Sequence, residues 1–243
     1  VLVATDGMFK GSKNFCQELV KTCPTVKSIV LNVNKRQTSV VLSDNEKILY
    51  GKGFIVDELC GLTFKISARS FYQINHEQCV KLYAKVKELL NPQKDEIILD
   101  TYCGIGTIGM SVADKCQEVI GVELNKDAYK DALNNAKMNH IDNVRFINDD
   151  ATEFMIQMAN KHQSVDSIIM DPPRAGSTKT FIEAIRTLQP RQVVYVSCDP
   201  TTQARDLKWF KEIGYQASDV YLYDMFPHTG HVESVVLMSR IEK

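Results

Sequence analysis

The sequence predicts an α/β fold: a mostly parallel sheet covered on both faces, closed by an antiparallel hairpin and preceded by a small α+β region. Three observations carry this. After Pro92, short apolar runs alternate with helical stretches, the rhythm of βαβ units. A Gly-x-Gly-x-x-Gly pattern, Gly104, Gly106 and Gly109, stands between the first of those runs and its helix. The last two β-like runs, 218–223 and 233–238, follow one another with no helix between them.

In chain order, residues 1–70 open with a helix-like stretch at 14–21, followed by β-rich runs at 28–33, 38–42 and 47–50. Asn34, Lys35, Asp44, Asn45, Gly51 and Gly53 punctuate those runs as hairpins require. From Asn75 the character changes. Ile74, Cys79, Leu82, Val86, Leu89 and Leu90 recur at helical spacing, and Asn91-Pro92 ends that helix. Strands are expected at 96–100, 118–123, 144–147, 167–171 and 192–197, with helices near 108–115, 126–138, 152–160, 178–188 and 201–210. The predicted division is a partial α+β domain over 1–70 and a catalytic domain over 71–243.

Composition narrows the class. With 44% hydrophobic residues in a chain of 243, a disordered or collagenous protein is excluded. Lys and Arg number 29 against 30 Asp and Glu, so any nucleic-acid contact has to come from a local patch and not from bulk charge. Seven cysteines, an odd number with no Cys-x-x-Cys pair, read as thiols of a reducing cytosol. No apolar run approaches the roughly 18–20 residues of a membrane span, so no membrane partner is expected. The start at Val1, without Met, suggests the later part of a longer chain.

Gly104–Gly109 follows the expected strand ending at Asp100 and opens a helix, where free N–H groups face a ligand. Glu123 ends the next strand, where an acidic side chain accepts ribose hydroxyls. A dinucleotide and S-adenosylmethionine both fit that much. Asp100 and the pair Asp149-Asp150 separate them: carboxylates crowded around the loop repel a pyrophosphate and attract an amino group and a sulfonium. S-adenosylmethionine is therefore favoured. Asp150, directly before the next helix, is the better candidate for an adenine amino group, and Asp149 the better candidate for a helix cap.

At the reacting end, Met170-Asp171-Pro172-Pro173-Arg174 follows the fourth strand of the sheet. Consecutive prolines hold the backbone extended and aim carbonyls and the Asp171 carboxylate at the crevice; the weaker alternative is that the prolines simply stop a strand and Arg174 is simply solvated. Cys198, in Ser197-Cys198-Asp199-Pro200, lies at the same edge beside the start of a helix whose N–H groups would lower its pKa. Cys60, Cys79 and Cys116 read as small buried hydrophobes, and Cys103 as packing near the ligand. In the loop Asp224–Val232, His228 or His231 could act as a base. Glu233, opening the last strand in half-apolar surroundings, suits a proton acceptor with a raised pKa.

Taken together, Ser70-Phe71-Tyr72-Gln73-Ile74-Asn75, Asp100 to Gly106, Asp171 to Arg174, Ser197 to Pro200 and Phe226 to Glu233 resemble the RNA uracil-5 methyltransferase family in order and spacing. Asn32-Val33-Asn34 and Leu49-Tyr50-Gly51 match its middle region, so the likeness runs from about Asn32 to the end. The chain looks most like the 23S ribosomal RNA enzymes. The resemblance implies a class I methyltransferase fold, a soluble cytoplasmic monomer acting on RNA, and an RNA-contacting role for residues 1–70. It implies Cys198 as nucleophile and Glu233 as base. Gln73, Tyr102, Gly104, Glu123, Asp150 and Asp171 would bind S-adenosylmethionine, with Gln73 and Asp171 also on the uracil and Phe226 or Tyr72 stacking on it. The family's amino-terminal TRAM barrel is missing, and Cys16 and Cys23 lack the partners an iron–sulfur cluster needs, so no cluster or metal is expected.

The chemistry calls for these residue types. Carbon 5 of uracil is a poor nucleophile until a thiolate adds at carbon 6, and a base must then remove the carbon 5 proton so that the thiolate can leave. The uridine has to be turned out of its stack first. Rival readings are a tRNA uridine-5 methyltransferase, a nucleic-acid methyltransferase acting on an exocyclic amine, a nicotinamide-dependent dehydrogenase, and a non-catalytic RNA-binding remnant.

Overall fold

Apolar runs between turn residues build a small three-stranded sheet first, in a computed structural model that describes residues 1–37 and 41–241. Its elements are β1 (Leu2–Ala4), α1 (Ser12–Thr22), β2 (Ile29–Val33) and β3 (Glu46–Tyr50), with β1 parallel and β3 antiparallel to the central β2. Of the run expected at 38–42, residues 38–40 lie outside the described residues, and Val41 and Leu42 belong to no strand. Buried Asn32 instead holds the returning chain, exchanging two hydrogen bonds of 2.8 Å with the backbone of Ser43.

A hairpin follows that the sequence reading missed, β4 (Phe54–Leu59) and β5 (Leu62–Ser67). Its two-residue turn needs positive φ at both positions, and Cys60 and Gly61 supply 52° and 76°. Cys-Gly stands where Asn-Gly or Asp-Gly would have signalled the turn. Cys60 is exposed there, not buried as expected.

The helix α2 (His76–Leu90) is capped by the Asn75 side chain, which accepts from the Gln78 N–H, and ends at left-handed Asn91 before Pro92. Cys79, Leu82, Tyr83, Val86 and Leu90 form its buried stripe, while Ile74 precedes the helix and is exposed. From there strand and helix alternate as expected: β6 (Ile97–Thr101), α3 (Thr107–Val112), β7 (Glu118–Val122), α4 (Lys126–Met138), β8 (Val144–Ile147), α5 (Ala151–Asn160), β9 (Ser167–Met170), α6 (Lys179–Leu188), β10 (Gln192–Ser197) and α7 (Pro200–Glu212). β11 (Tyr215–Tyr223) and β12 (Glu233–Arg240) close the chain.

These strands make one seven-stranded sheet in the order β11-β12-β10-β9-β6-β7-β8. β6 to β10 are parallel, and β12 is antiparallel to both β10 and β11. Side chains alternate across the sheet, so neighbours enter opposite cores. Ile98, Ile169 and Val194 pack with Leu82 and Val86 on one face, whereas Leu99, Ile168 and Tyr195 pack with Phe181 and Phe210 on the other. Both faces being dry, the strands read as continuous apolar runs.

The β4–β5 hairpin is fastened to this sheet through α4. Asp131, Asn135 and Asn139 succeed one another at four-residue steps, on one face of the helix. They accept the backbone N–H groups of Ser67, Lys65 and Thr63 at 2.9, 2.7 and 2.8 Å. A helix's side chains thus satisfy a sheet edge that would otherwise be open.

Candidate active site

Strand order brings the chemistry to one edge of the sheet. β6 lies between β7 and β9: the chain builds β7 and β8 on one side of it, then returns to build β9 and β10 on the other. At such a reversal a crevice opens beyond the carboxyl ends of the strands. A cavity of about 800 Å³ occupies it here. Its lining includes Tyr102 and Gly104 after β6, Glu123 after β7, Asp150 after β8, Asp171 after β9 and Cys198 after β10. Because Ser234 of the antiparallel β12 pairs with Ser197, the preceding Glu233 arrives beside Cys198 at the same edge. Gln73, from the segment before α2, completes the set.

The fold therefore brings eight of the nine expected site residues to one cavity. Phe226 is not among the lining residues; half-buried against the core, its ring meets His231 edge-on with centroids 6.4 Å apart. Tyr72, His228 and His231 do not line the cavity either, and Cys103 is buried away from it beside Gly121. Phe71 and Asn125 do line it, although the residues alone gave them no site role, as do Pro173 and Arg174 of the proline motif. Arg174 is not simply solvated: its Nε stands 3.6 Å from Asp199 Oδ2 and its Nη2 3.4 Å from His231 Nδ1.

Local geometry fixes several of these groups. Glu123 accepts the Gly104 N–H at Oε2 (2.9 Å) and the Asn125 N–H at Oε1 (2.5 Å), which locks its carboxylate under the glycine loop. Tyr102 holds a left-handed φ of 62° and stacks on Phe181, centroids 5.6 Å apart. Of the loop's three glycines only Gly104 lines the cavity, and a Cβ there would meet nothing within 4 Å. Gly109 instead lets α3 approach β6 and β7, since a Cβ would stand 2.7 Å from Asp100 Oδ2 and 3.0 Å from Val119 Cγ1. Asp150, not Asp149, caps α5: its Oδ1 accepts the N–H groups of Thr152 (2.9 Å) and Glu153 (3.1 Å). Asp149 accepts the Asp150 N–H at 2.8 Å.

Burial sets the electrostatics. It pushes the Asp100 carboxyl up to about 7, with a further push from Glu123, against the Gly109 N–H that Asp100 Oδ2 accepts at 2.9 Å. Asp171 is driven well above the usual carboxylate range by burial first and then by Glu233 and Asp100, and burial raises Glu233 as well. The Cys198 thiol is also raised, by burial and then by Glu233 and Asp171, with Arg174 pulling the other way. The lowering expected from the α7 amino end is overridden: Asp199 already takes the N–H groups of Thr201 and Thr202, and two carboxyls face the sulfur.

Such a cavity fits a cationic ligand that carries hydrogen-bond donors. Gln73 Oε1 is a buried acceptor on its wall that receives no hydrogen bond from the protein, and Asp171 and Glu233, both raised by burial and Asp171 further by Glu233, favour a positive charge beside them. Val122, Leu124, Ala151 and Pro172 add apolar walls for a flat ring. Among the described residues, no group of three or more His, Cys, Asp and Glu could hold a metal ion, and no helix is long and apolar enough to cross a membrane.

Residues 25–241 match the family model described as tRNA (Uracil-5-)-methyltransferase. The chain belongs to the RNA uracil-5 methyltransferase family. An uncharacterized RNA methyltransferase of Bacillus cereus is 42% identical over 243 residues, which are 100% of this chain and 53% of that protein. Another, of Oceanobacillus iheyensis, is 41% identical over 97% of this chain and 51% of its own length. The chain thus spans about half the length of the curated relatives it matches. The crystal structure of Pyrococcus abyssi tRNA (uracil-54, C5)-methyltransferase in complex with S-adenosyl-L-homocysteine is 34% identical, with a TM-score of 0.75 over 90% of this chain and 52% of that one. Trm5b from the same organism, at 16% identity and a TM-score of 0.67, shares the fold alone. The class I methyltransferase fold expected from the resemblance is the one found.

Proposed function

We propose that this chain carries the catalytic part of an S-adenosylmethionine-dependent enzyme that methylates carbon 5 of a uridine in RNA through a covalent Cys198–uracil adduct. The observation that carries it is a thiol and a buried carboxyl, Cys198 and Glu233, on adjacent strands at the rim of one cavity with a set of acceptors suited to a cation. Gln73, Tyr102, Gly104, Glu123, Asp150 and Asp171 would hold S-adenosylmethionine, whose sulfonium supplies the methyl group. Gln73 and Asp171 would also read the uracil edge.

The steps follow from these residues. The Cys198 thiolate, favoured by Arg174, adds to carbon 6 of the uracil, which turns carbon 5 into an enolate carbon able to take a methyl group. Glu233 in its ionised form then removes the carbon 5 proton, and the electrons of that C–H bond expel the thiolate and restore the ring. Glu233's raised pKa makes it the stronger acceptor of that proton.

Residues 71–243 form the methyltransferase domain in this proposal, and residues 1–70 contribute to RNA contact, acting as a monomer in the cytoplasm. The substrate proposed from the sequence is 23S ribosomal RNA. A tRNA uridine is the second reading, favoured by the 34% identical enzyme named for uracil-54 of tRNA. The deciding experiment is intact mass under denaturing conditions after incubation with S-adenosylmethionine and 5-fluorouridine-containing RNA. Fluorine cannot be removed as a proton, so an adduct accumulates, and it is lost in Cys198→Ala. Presenting 23S fragments and tRNA in parallel assigns the substrate. No adduct with either RNA, on a full-length chain that binds S-adenosylmethionine, overturns the uracil reading in favour of amine methylation.

A further inference from the structure

Behind the Cys198 edge lies a charged pair that no step above uses. Asp206, on α7, is fully buried. Its Oδ2 accepts the hydroxyl of Tyr195 at 2.8 Å and the N–H of Ser177 at 2.7 Å, and its Oδ1 accepts both Nε and Nη2 of Arg205 at 2.9 and 2.7 Å. Arg205 Nη2 also donates to the carbonyl oxygens of Ala175 (3.0 Å) and Ser177 (3.1 Å), and its guanidinium lies 4.9 Å from the centre of the Trp209 ring. Between those carbonyls Gly176 has a φ of +75°, and a Cβ there would stand 2.7 Å from both Arg205 Nη2 and Asp206 Oδ2. Thr202 Oγ1 adds a hydrogen bond to the Arg174 carbonyl at 3.3 Å. Arg174, Ala175 and Ser177 are thereby fixed to α7, with Gly176 close against it.

Apolar side chains would seal that helix against the loop without the desolvation that the buried Asp206 carboxylate suffers, so what its pairing with the partly exposed Arg205 adds is fixed geometry. The loop it fixes carries Asp171, Pro173 and Arg174 into the cavity, and the helix it fixes begins two residues after Cys198, at Pro200. Neither Arg205 nor Asp206 lines the cavity.

We propose that Arg205 and Asp206 are positioning residues that set the Asp171–Arg174 segment against Cys198, and so keep the Arg174 charge where it acts on the thiol. The functional meaning of this rests on Cys198 being the nucleophile of the uracil reaction, but the geometry and its test require neither RNA nor S-adenosylmethionine. The charged groups around Cys198 are Glu233 from β12, Asp171 and Arg174 from the loop after β9, and Asp199 from the start of α7, with His231 against Arg174. Arg174 is the one permanent cation among them.

The test is the pH dependence of iodoacetamide alkylation at Cys198, followed by peptide mass spectrometry on the ligand-free protein. In Asp206→Asn and Arg205→Lys the midpoint should move to higher pH by roughly half a unit, the scale of losing one charge at several ångströms in a solvated cleft. Glu96→Gln is the control. It breaks the Glu96–Arg191 pair (2.6 Å), in which the carboxylate is buried and the guanidinium partly exposed, and should lower Tm without moving the Cys198 midpoint. If Asp206→Asn does not fold, Arg205→Lys, which keeps the charge and loses the fork, carries the test. An unchanged midpoint in the folded variants, or an equal shift in Glu96→Gln, overturns the proposal. A shifted midpoint in a protein that never forms a 5-fluorouridine adduct leaves the positioning role standing and removes only the uracil chemistry.

Discussion

Ser234 donates its hydroxyl to the carbonyl oxygen of Ser197 at 3.2 Å, across the ladder in which the two residues are register partners. That hydrogen bond locks β12 against β10 next to the residues that matter, since Cys198 follows one serine and Glu233 precedes the other. Ser234 Oγ also lies 2.8 Å from Gln203 Oε1, so α7 is tied to the same joint. Thiol and carboxyl are held by sheet register, which one-residue slippage would destroy.

From that pairing the two variants separate. Cys198→Ala should abolish the covalent adduct while leaving S-adenosylmethionine binding intact. Glu233→Gln should instead accumulate an adduct with ordinary uridine RNA, because the methyl group is transferred but the carbon 5 proton stays. Turnover should fall about 10²–10⁴-fold, the usual share of a positioned general base. Single-turnover mass spectra with unmodified RNA check both outcomes, and a Glu233→Gln enzyme that turns over normally with no adduct would remove Glu233 from the reaction.

The raised acids predict a proton released on binding. A cation entering the cavity beside Asp171 and Glu233 lowers their raised pKa values, so S-adenosylmethionine binding should expel protons at pH values where these carboxyls are still protonated. Titration calorimetry in buffers of different ionisation enthalpy measures the number. The sign for stability is the reverse of an ordinary salt-bridged aspartate. Asp100 ionises near 3.8 ordinarily and near 7 when folded, so its contribution is whole below about 3.8 and is lost as pH rises through about 7. Asp100→Asn should flatten the urea midpoint over that window, and an unchanged slope would show that the proton sits elsewhere.

Most of the sheet was legible because both of its faces are buried: β8 and β10 fall where the apolar runs at 144–147 and 192–197 end. The cavity-lining residues were legible because an open α/β sheet delivers the residue after each strand to one edge, so Glu123, Asp150, Asp171 and Cys198 needed only their strands to be found. What was not legible depends on tertiary contact. The Cys198 thiol is raised by burial and then by two carboxyls that meet it only when β9, β10 and β12 are side by side. The β4–β5 hairpin exposes most of β4 and takes its edge partners from a helix some seventy residues on, so neither alternation nor a standard turn signalled it.

Two glycines of one loop should fail differently. Gly109→Ala drives a methyl group into Asp100 and Val119, an overpacking of about 1–3 kcal/mol that lowers Tm. Gly104→Ala meets no protein atom, so its effect on Tm should be limited to the strain of φ +57°, about 1 kcal/mol, while S-adenosylmethionine affinity drops because the methyl group lines the cavity. Thermal melts paired with binding isotherms distinguish the two. Equal losses of affinity in both variants would mean that the loop, and not Gly104 itself, is what the ligand reads.

Asn135 links the amino-terminal hairpin to the glycine loop. Its Oδ1 accepts the Lys65 N–H at 2.7 Å, and its Nδ2 lies 3.2 Å from the Lys65 carbonyl oxygen and 3.3 Å from that of Ile105. The residue is fully buried, so Asn135→Ala leaves the Lys65 N–H without its acceptor and should cost about 1–3 kcal/mol in urea unfolding. Because Ile105 stands next to Gly104, the same variant should weaken S-adenosylmethionine binding without touching the cavity. Asn139→Ala, which breaks the hairpin's bonds at Thr63 and a bond to the Asn135 carbonyl but none to Ile105, should reduce stability while leaving that affinity unchanged. Parallel losses of affinity in the two variants would assign the effect to the hairpin as a whole; a loss confined to Asn135→Ala assigns it to the bond with Ile105.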